Sequence, residues 1–376
     1  MIAVNLSGRI DLLRITVILA LLAGFALSPK LWLSSRFYPL TPVWSFLKPI
    51  PSPADAVVFL TLIALLITVA IVPRRELFIA AFLLLAWLAL QDQSRWQPWF
   101  YQYVLMLLAI ALALRDHPEP ALNTCCLIVA ATYFWSGLAK LNPNFTGDIF
   151  PWLLQPIVRA PARYLGFLAP LLESTTGIGL LFPRSRPAAL VFAIAMHLFI
   201  LISIGPLGLR FNTVVWPWNL AMIAFLLILF VRQPAPREIL WSRTFAFHNL
   251  VLIAFALMPA LTYFNLWDHY LSSALYSGNR SVGVLYLTDD VFERVPDTIA
   301  DYVYEAGPNR GQLDIDDWSR GELNVPAYPE IRIYKNVARR ICDYATGAPG
   351  VELIIQTKLA FINSHRRLVY YCSALR

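Results

Sequence analysis

The sequence predicts an α-helical polytopic membrane protein of about nine transmembrane helices, followed by a small C-terminal α+β extramembrane domain. Three observations carry this expectation. The 376-residue chain is 58% hydrophobic, with a positive mean hydropathy, which is too apolar for an ordinary soluble protein. Its apolar residues gather into runs long enough to span a bilayer, divided by short loops. After Phe264 the composition changes to charged sequence with no run of spanning length. Two domains are therefore expected: residues 1–264 in the membrane and residues 265–376 outside it.

In chain order, spans are expected at roughly 10–28, 54–72, 76–91, 99–115, 121–140, 165–182, 187–204, 213–231 and 246–264. The first has Arg9 and Arg14 beside it, like a signal peptide. It lacks a small-x-small cleavage site and is followed by many more spans, so it reads as a retained helix. The third is short enough to be tilted or partly inserted. Loop 29–53 contains Leu31-Trp32, Tyr38-Pro39 and Val43-Trp44, and segment 91–101 contains Trp96, Trp99 and Tyr101, aromatic densities that fit a membrane interface. Segment 146–164 carries an amphipathic piece, Phe150-Pro-Trp-Leu-Leu154, that suits the same layer.

Orientation follows from loop arginines. Arg74, Arg75, Arg115, Arg184, Arg186, Arg232, Arg237 and Arg243 follow the even-numbered spans. Lys30, Arg36, Lys48, Arg159 and Arg163 are spread over longer segments of the other loops. The bias puts the N-terminus in the cytoplasm, and nine spans then put the C-terminal domain on the opposite side. The net charge of +7 belongs to the membrane part: 18 Lys/Arg against 9 Asp/Glu up to Phe264, and 12 against 14 beyond it. This suits a lipid bilayer as partner, and no basic run points to nucleic acid. In the tail, 282–287, 351–357 and 367–373 read as strands. Segment 330–345 reads as a helix, with an apolar stripe of Ile331, Tyr334, Val337, Ala338 and Ile341. Cys125 and Cys126 lie adjacent in the fifth span as small core residues, whereas Cys342 and Cys372, in an oxidising compartment, are expected to pair.

Three polar side chains interrupt the apolar spans. Lys140 ends the fifth, and Tyr133, Ser136, Gly137 and Lys140 recur on one helix face before Asn142-Pro143 stops the helix. A lysine there either snorkels at a helix C-terminus or, held in apolar surroundings, supplies a neutral amine as a base. Glu173, in mid-span beside Ser174, Thr175, Thr176 and Gly177, is either a structural ion-pair partner or a functional carboxylate facing a cavity. His197 is either a satisfied core hydrogen-bonder or part of a site. It has no second histidine at i+3 or i+4, so no metal is expected. All three are expected to face one internal cavity, because each is costly in hydrocarbon when unpaired. Trp216-Pro217-Trp218-Asn219, near the start of the eighth span, is either an interfacial belt or the mouth of a site for a flat apolar ligand, with Tyr133, Trp216, Trp218 and Asn219 as its binding residues.

The stretch Phe134-Trp-Ser-Gly-Leu-Ala-Lys-Leu-Asn-Pro-Asn-Phe145 resembles a phenylalanine-x-x-glycine-x-x-lysine-leucine segment of vitamin K-dependent gamma-carboxylases and of related bacterial proteins with a horizontally transferred transmembrane (HTTM) domain. The order of later features fits as well: 172–182, Arg184-Ser-Arg186, the span with His197, Ile204-Gly205 and the span from Phe211, so the resemblance implies an HTTM-like core over about 121–231. The glycine-lysine pattern is also similar to that of small DoxX-type membrane proteins. The carboxylase resemblance implies Lys140 as catalytic base toward a quinone cofactor such as vitamin K hydroquinone, with His197 on a family histidine. Glu173 has no clean counterpart. Carboxylases carry a large lumenal region, and about 110 residues remain here. That argues against carboxylation of a propeptide-bearing substrate and toward quinone-dependent oxygenation or redox chemistry. The competing expectations are a non-catalytic membrane scaffold or accessory protein, whose extracytoplasmic tail binds a protein or peptide partner, and a transporter. Neither inverted repeats nor matched broken helices support the transporter.

Overall fold

The computed structural model describes residues 6–113, 118–157, 165–231, 239–307, 310–345, 350–360 and 366–375. Of the loop arginines above, Arg115, Arg159, Arg163, Arg232 and Arg237 lie outside the described residues. The chain divides into two compact units. The first comprises residues 1–27, 60–86 and 98–279, and the second comprises 28–59, 87–97 and 280–376.

The apolar helices are α1 Leu6–Leu27, α2 Ala54–Ile71, α3 Arg75–Gln91, α4 Pro98–Leu112, α5 Glu119–Ala139, α6 Leu165–Leu181, α7 Arg186–Ile204, α8 Val215–Phe230 and α9 Ala246–Phe264. Among the described residues, five of them (α1, α2, α5, α7 and α9) are long and apolar enough to cross a membrane. This is fewer than the nine spans expected. The helices α3, α4, α6 and α8 have 15 to 17 residues. At a rise of about 1.5 Å per residue, these reach only ~23–26 Å.

Within the first unit α5 is the central helix: 83% of its apolar window is buried, against 28% for α7. Its start is set by Glu119 and Pro120, an acidic first turn and a proline where no N–H is needed. Its end is set by Asn142, whose side chain donates to Ala139 O (2.9 Å) and accepts from Phe145 N (3.0 Å). Helix α6 packs along α5 on two glycines. A Cβ on Gly137 would lie 2.4 Å from Ser174 N and 2.7 Å from Pro170 O, and one on Gly177 2.6 Å from Ala130 O and from Phe134 N. The two backbones therefore touch directly, as small residues permit in membranes. Helix α7 lies against α6 and α8, and α1 against α8 and α4. The last apolar segment is α-helical over Ala246–Val251, widens to π turns over Leu252–Leu257 and tightens to 3-10 turns over Met258–Phe264, where Pro259 withholds an N–H.

The second unit is built on a five-stranded antiparallel sheet: β1 Val282–Thr288, β2 Val303–Glu305, β3 Arg310–Asp314, β4 Val351–Gln356 and β5 Arg367–Tyr371, in the order β2-β3-β1-β4-β5. Leu285, Leu287, Leu313, Val351, Leu353 and Ile355 form its buried face. Two helices pack on the sheet: α10 Ile315–Leu323, and α11 Ile331–Ile341 with its buried stripe of Ile333, Tyr334, Val337, Ala338 and Ile341. The strands expected near 282, 351 and 367 are present. Strands β2 and β3 and helix α10 were not expected: β2 is three residues at an edge, and β3 reads Arg-Gly-Gln-Leu-Asp, with little apolar alternation. Cys342 and Cys372 form a disulfide across a Cα separation of 5.6 Å, joining the end of α11 to the end of β5.

The other sheet face is partly exposed among the described residues. Cross-strand registration aligns Tyr304, Gln312, Tyr286, Glu352 and Tyr371 in one row, and Asp314, Val284, Ile354 and Val369 in the next. Tyr304, Val369 and Tyr371 are exposed.

The two early loops of this unit are not simply interfacial. Trp32 and Tyr38 are fully buried. Trp32 stacks on Phe59, and Tyr38 meets Trp318 edge-on. Phe37, and Trp44 and Phe46 stacked on each other, remain exposed. Asp92 organises the loops. It accepts from Arg36 Nη2 (2.5 Å), Thr41 N (3.2 Å), Thr41 Oγ1 (3.0 Å) and Ser94 N (3.1 Å). Burial opposes its ionised form, but Arg36 and Arg95 outweigh that and hold its carboxyl below the usual carboxylate range. Arg95 donates to the carbonyls of Leu31, Trp32 and Leu88, and burial pushes its guanidinium down to about 10.

Candidate functional site

A cavity of about 360 Å3 lies in the first unit among α5, α6, α7 and α8. Phe145, Phe150, Leu153, Ala169, Met196, Phe199 and Ile204 give it a largely apolar wall. One face of α5 supplies Thr132, Tyr133, Ser136 and Lys140, as their three- and four-residue spacing dictates. Glu173 and Thr176 come from α6, His197 from α7, and Trp218 and Asn219 from α8.

Two polar groupings face the space. In the first, Lys140 Nζ lies 2.9 Å from each oxygen of Glu173, 2.6 Å from Ser136 Oγ and 3.3 Å from Ser136 O. Both side chains of the ion pair are about nine-tenths buried. Four acceptors surround an ammonium that has three protons, so no N–H is left over to face the cavity. In the second, His197 is held at both ring nitrogens. Asn219 donates its amide N–H to Val215 O (2.8 Å), which leaves its Oδ1 to accept from His197 Nδ1 (2.8 Å). Nε2 then accepts from the Tyr133 hydroxyl (2.5 Å). The chain Tyr133–His197–Asn219 is complete for a neutral imidazole.

The structure thus brings Lys140, Glu173, His197, Tyr133, Trp218 and Asn219 to one cavity. Trp216 is not among its lining residues. Its indole donates to Ile204 O (2.9 Å) and Phe211 O (3.2 Å), tying down the loop before α8. Trp218, two residues on, points the other way along the helix and donates to Gln102 of α4 (2.8 Å). Sequence reasoning missed Leu275 and Tyr276, which line the cavity from the segment after α9. No periodicity marks them. A weak signal was available from Asn142, whose side chain also donates to Ser277 O (2.7 Å) and so anchors that segment beside the end of α5. Among the described residues, no group of three or more His, Cys, Asp or Glu side chains could hold a metal ion.

Residues 118–216, from the start of α5 to the first turn of α8, match the family model of methylamine utilisation protein MauE. The match covers about a quarter of the chain and includes Tyr133, Lys140, Glu173, His197 and Trp216. It corrects the expectation from motif resemblance: this region is similar to MauE, not to vitamin K-dependent gamma-carboxylases or the HTTM domain. The physical reason lies in the motif itself. Its glycine is the contact point between α5 and α6, its lysine is closed by Glu173, and its asparagine caps a helix. Each residue has a packing role that many helical membrane proteins share. No curated protein and no solved structure matches the chain. The apolar helices and the family match identify an integral membrane protein.

Proposed function

We propose that this is a multi-span membrane accessory protein, non-catalytic, whose extramembrane unit binds a protein partner. The observation that carries the reading is the partly exposed face of the five-stranded sheet. A face that needed only water would alternate to charged and small polar residues. This one sets three tyrosines along one row, on β2, β1 and β5 with Gln312 and Glu352 between them, and Val284, Ile354 and Val369 in the next row. Of its charges, Arg310 and Glu352 pair with each other, and Asp314 and Arg367 stand at strand ends, which leaves an aromatic and aliphatic strip to be recognised by shape. Tyrosine is enriched at such surfaces because it buries a large ring while keeping a polar tip.

The ion pair in the helical unit supports the non-catalytic part of the reading. A lysine committed to Glu173 and Ser136 is held as a charge partner rather than poised as a base. The topology that goes with the proposal has nine spans, with the short helices tilted or bordering thinner parts of the bilayer, a cytoplasmic N-terminus and an extracytoplasmic second unit. The Cys342–Cys372 disulfide fits that compartment. Reporter fusions after Asn265 and at the C-terminus test the topology.

The partner is tested by site-specific photocrosslinking in native cells. A p-benzoylphenylalanine in place of Tyr371 is expected to give one discrete protein adduct, abolished by Val369→Asp. The same probe at Arg340, exposed on α11, is expected to give none. Equal labelling at both positions, or none at Tyr371, would refute partner binding by this face.

A further inference from the structure

The cavity of the helical unit has a direction, a charge balance and an unused pair of hydrogen-bonding groups. Its residues on α5 and α8 are buried or partly buried. The exposed residues that line it are Leu172 of α6 and Phe192 and Ala195 of α7. These belong to apolar segments whose outer surfaces face hydrocarbon, so the mouth opens sideways between α6 and α7. A molecule entering there comes from the bilayer rather than from water.

The charge balance excludes ions as occupants. Lys140 and Glu173 cancel each other, and His197 is satisfied on both nitrogens without a net charge. A carboxylate or ammonium guest would bring an uncompensated charge into an apolar space, at a cost of several kcal/mol or more. Two capacities remain. The Ser136 hydroxyl accepts from Lys140, and its own proton has no acceptor among the described residues. Each Glu173 oxygen accepts one bond from Lys140 and has a further lone pair. A donor and an acceptor side by side match a hydroxyl, which needs one of each. We propose that the cavity binds an uncharged lipophile with a single hydroxyl-bearing head, taken from the bilayer between α6 and α7, with its head at Ser136 and Glu173 and its apolar body along the phenylalanine-lined wall. The space is in the range of small-molecule pockets. This inference is independent of the partner surface on the sheet.

The test uses the full-length protein in lipid nanodiscs and three probes of one chain length: 11-bromo-1-undecanol, 11-bromoundecanoate and (11-bromoundecyl)trimethylammonium. Bromine quenches an indole it touches, and Trp218 lies in the cavity wall. All three probes give unsaturable quenching from the surrounding lipid. Only the alcohol is expected to add a saturable component, and that component should vanish in Trp218→Phe. Ser136→Ala should weaken its half-saturation by roughly two- to tenfold, the loss of one hydrogen bond. Ala195→Phe, at the lipid-facing mouth, should abolish it while leaving the ion pair untouched. Should Trp218→Phe not fold, native mass spectrometry of the wild-type protein must show one bound alcohol and neither of the charged probes. Equal saturation by the acid or the cation, a component that survives Trp218→Phe, or an unchanged half-saturation in Ser136→Ala would overturn the proposal.

Discussion

Adding one methyl group at Gly137 should separate α5 from α6. The new Cβ would lie 2.4 Å from Ser174 N, 2.5 Å from Ser174 Oγ and 2.7 Å from Pro170 O. Two of these atoms are backbone, so no rotamer change can clear the clash. The helices must part by about 1 Å to restore ordinary contact distances, which puts the cost at about 2–3 kcal/mol, the upper range for overpacking. For a unit of this size that is a fall in melting temperature of roughly 4–12 °C. The same displacement would lengthen the Lys140–Glu173 contacts from 2.9 Å. Gly177→Ala acts on the same seam from the other helix, 2.6 Å from Ala130 O and Phe134 N. Once the seam has opened for one methyl, the second costs less, so the double variant should lose less than the sum of the singles. Gly147→Ala is the control, since no atom lies within 4 Å of its added Cβ. The chain carries its own reporters: Cys125 and Cys126 are free, buried and on α5, so a thiol-reactive dye reads their exposure on heating. A Gly137→Ala protein that melts with the wild type, or a Gly147→Ala protein that falls as far, would refute the close-packed seam.

Three further outcomes follow from the geometry. Lys140→Met or Glu173→Met alone should each cost about 3–5 kcal/mol by leaving a buried charge unpaired, whereas the double variant should recover most of it; additive losses in the same dye assay would count against the pair. The disulfide closes a loop of 30 residues, so Cys342→Ser with Cys372→Ser should lower the denaturation midpoint of the second unit by the equivalent of about 3–4 kcal/mol, read by tryptophan fluorescence, and an unchanged midpoint would contradict the loop-entropy argument. Asp92 titrates lower in the folded protein than in the unfolded chain, so its contribution is fully present above about pH 4 and is lost as pH falls through the folded value; acid unfolding followed by near-UV circular dichroism should lose this limb in Asp92→Asn, and a parallel curve would remove Asp92 as its source.

What the sequence made legible was whatever local spacing controls. The face Tyr133–Ser136–Lys140 is a matter of helical periodicity, and the stripe of α11 likewise. The expense of a lone carboxylate or histidine in hydrocarbon pointed Glu173 and His197 to the same interior as Lys140. What could not be read was what depends on long-range closure. Trp216 and Trp218 look alike in sequence, and only the fold of the loop before α8 sends one to carbonyl oxygens and the other to the cavity. Arg36 entered only as one of the basic residues spread over the loops, and nothing in the sequence singled out Asp92 or Arg95. They form the buried centre of the second unit because two loops, more than fifty residues apart, meet there. The motif resemblance failed for a related reason: a glycine and a lysine three residues apart report how two helices pack, and packing is shared by proteins that do different chemistry.

The ion pair and the glycine seam act on the same joint. Gly137 and Lys140 are one turn apart on α5, and Glu173, Ser174 and Gly177 face them from α6. Small residues allow the backbones to touch but fix no register, because a glycine surface can slide. The bidentate Lys140–Glu173 contact supplies the register, since it is satisfied at one axial offset and leaves two buried charges unpaired at any other. The Ser174 hydroxyl, donating to Phe134 O (3.1 Å), adds a second fixed point on the same seam. The pair's contribution is thus the geometry it imposes more than net stability. That geometry also leaves Ser136 with a free proton and Glu173 with free lone pairs at the wall of the cavity. The polar end of the cavity is therefore a by-product of the helix joint, and any substitution that shifts the joint should alter ligand affinity and thermal stability together.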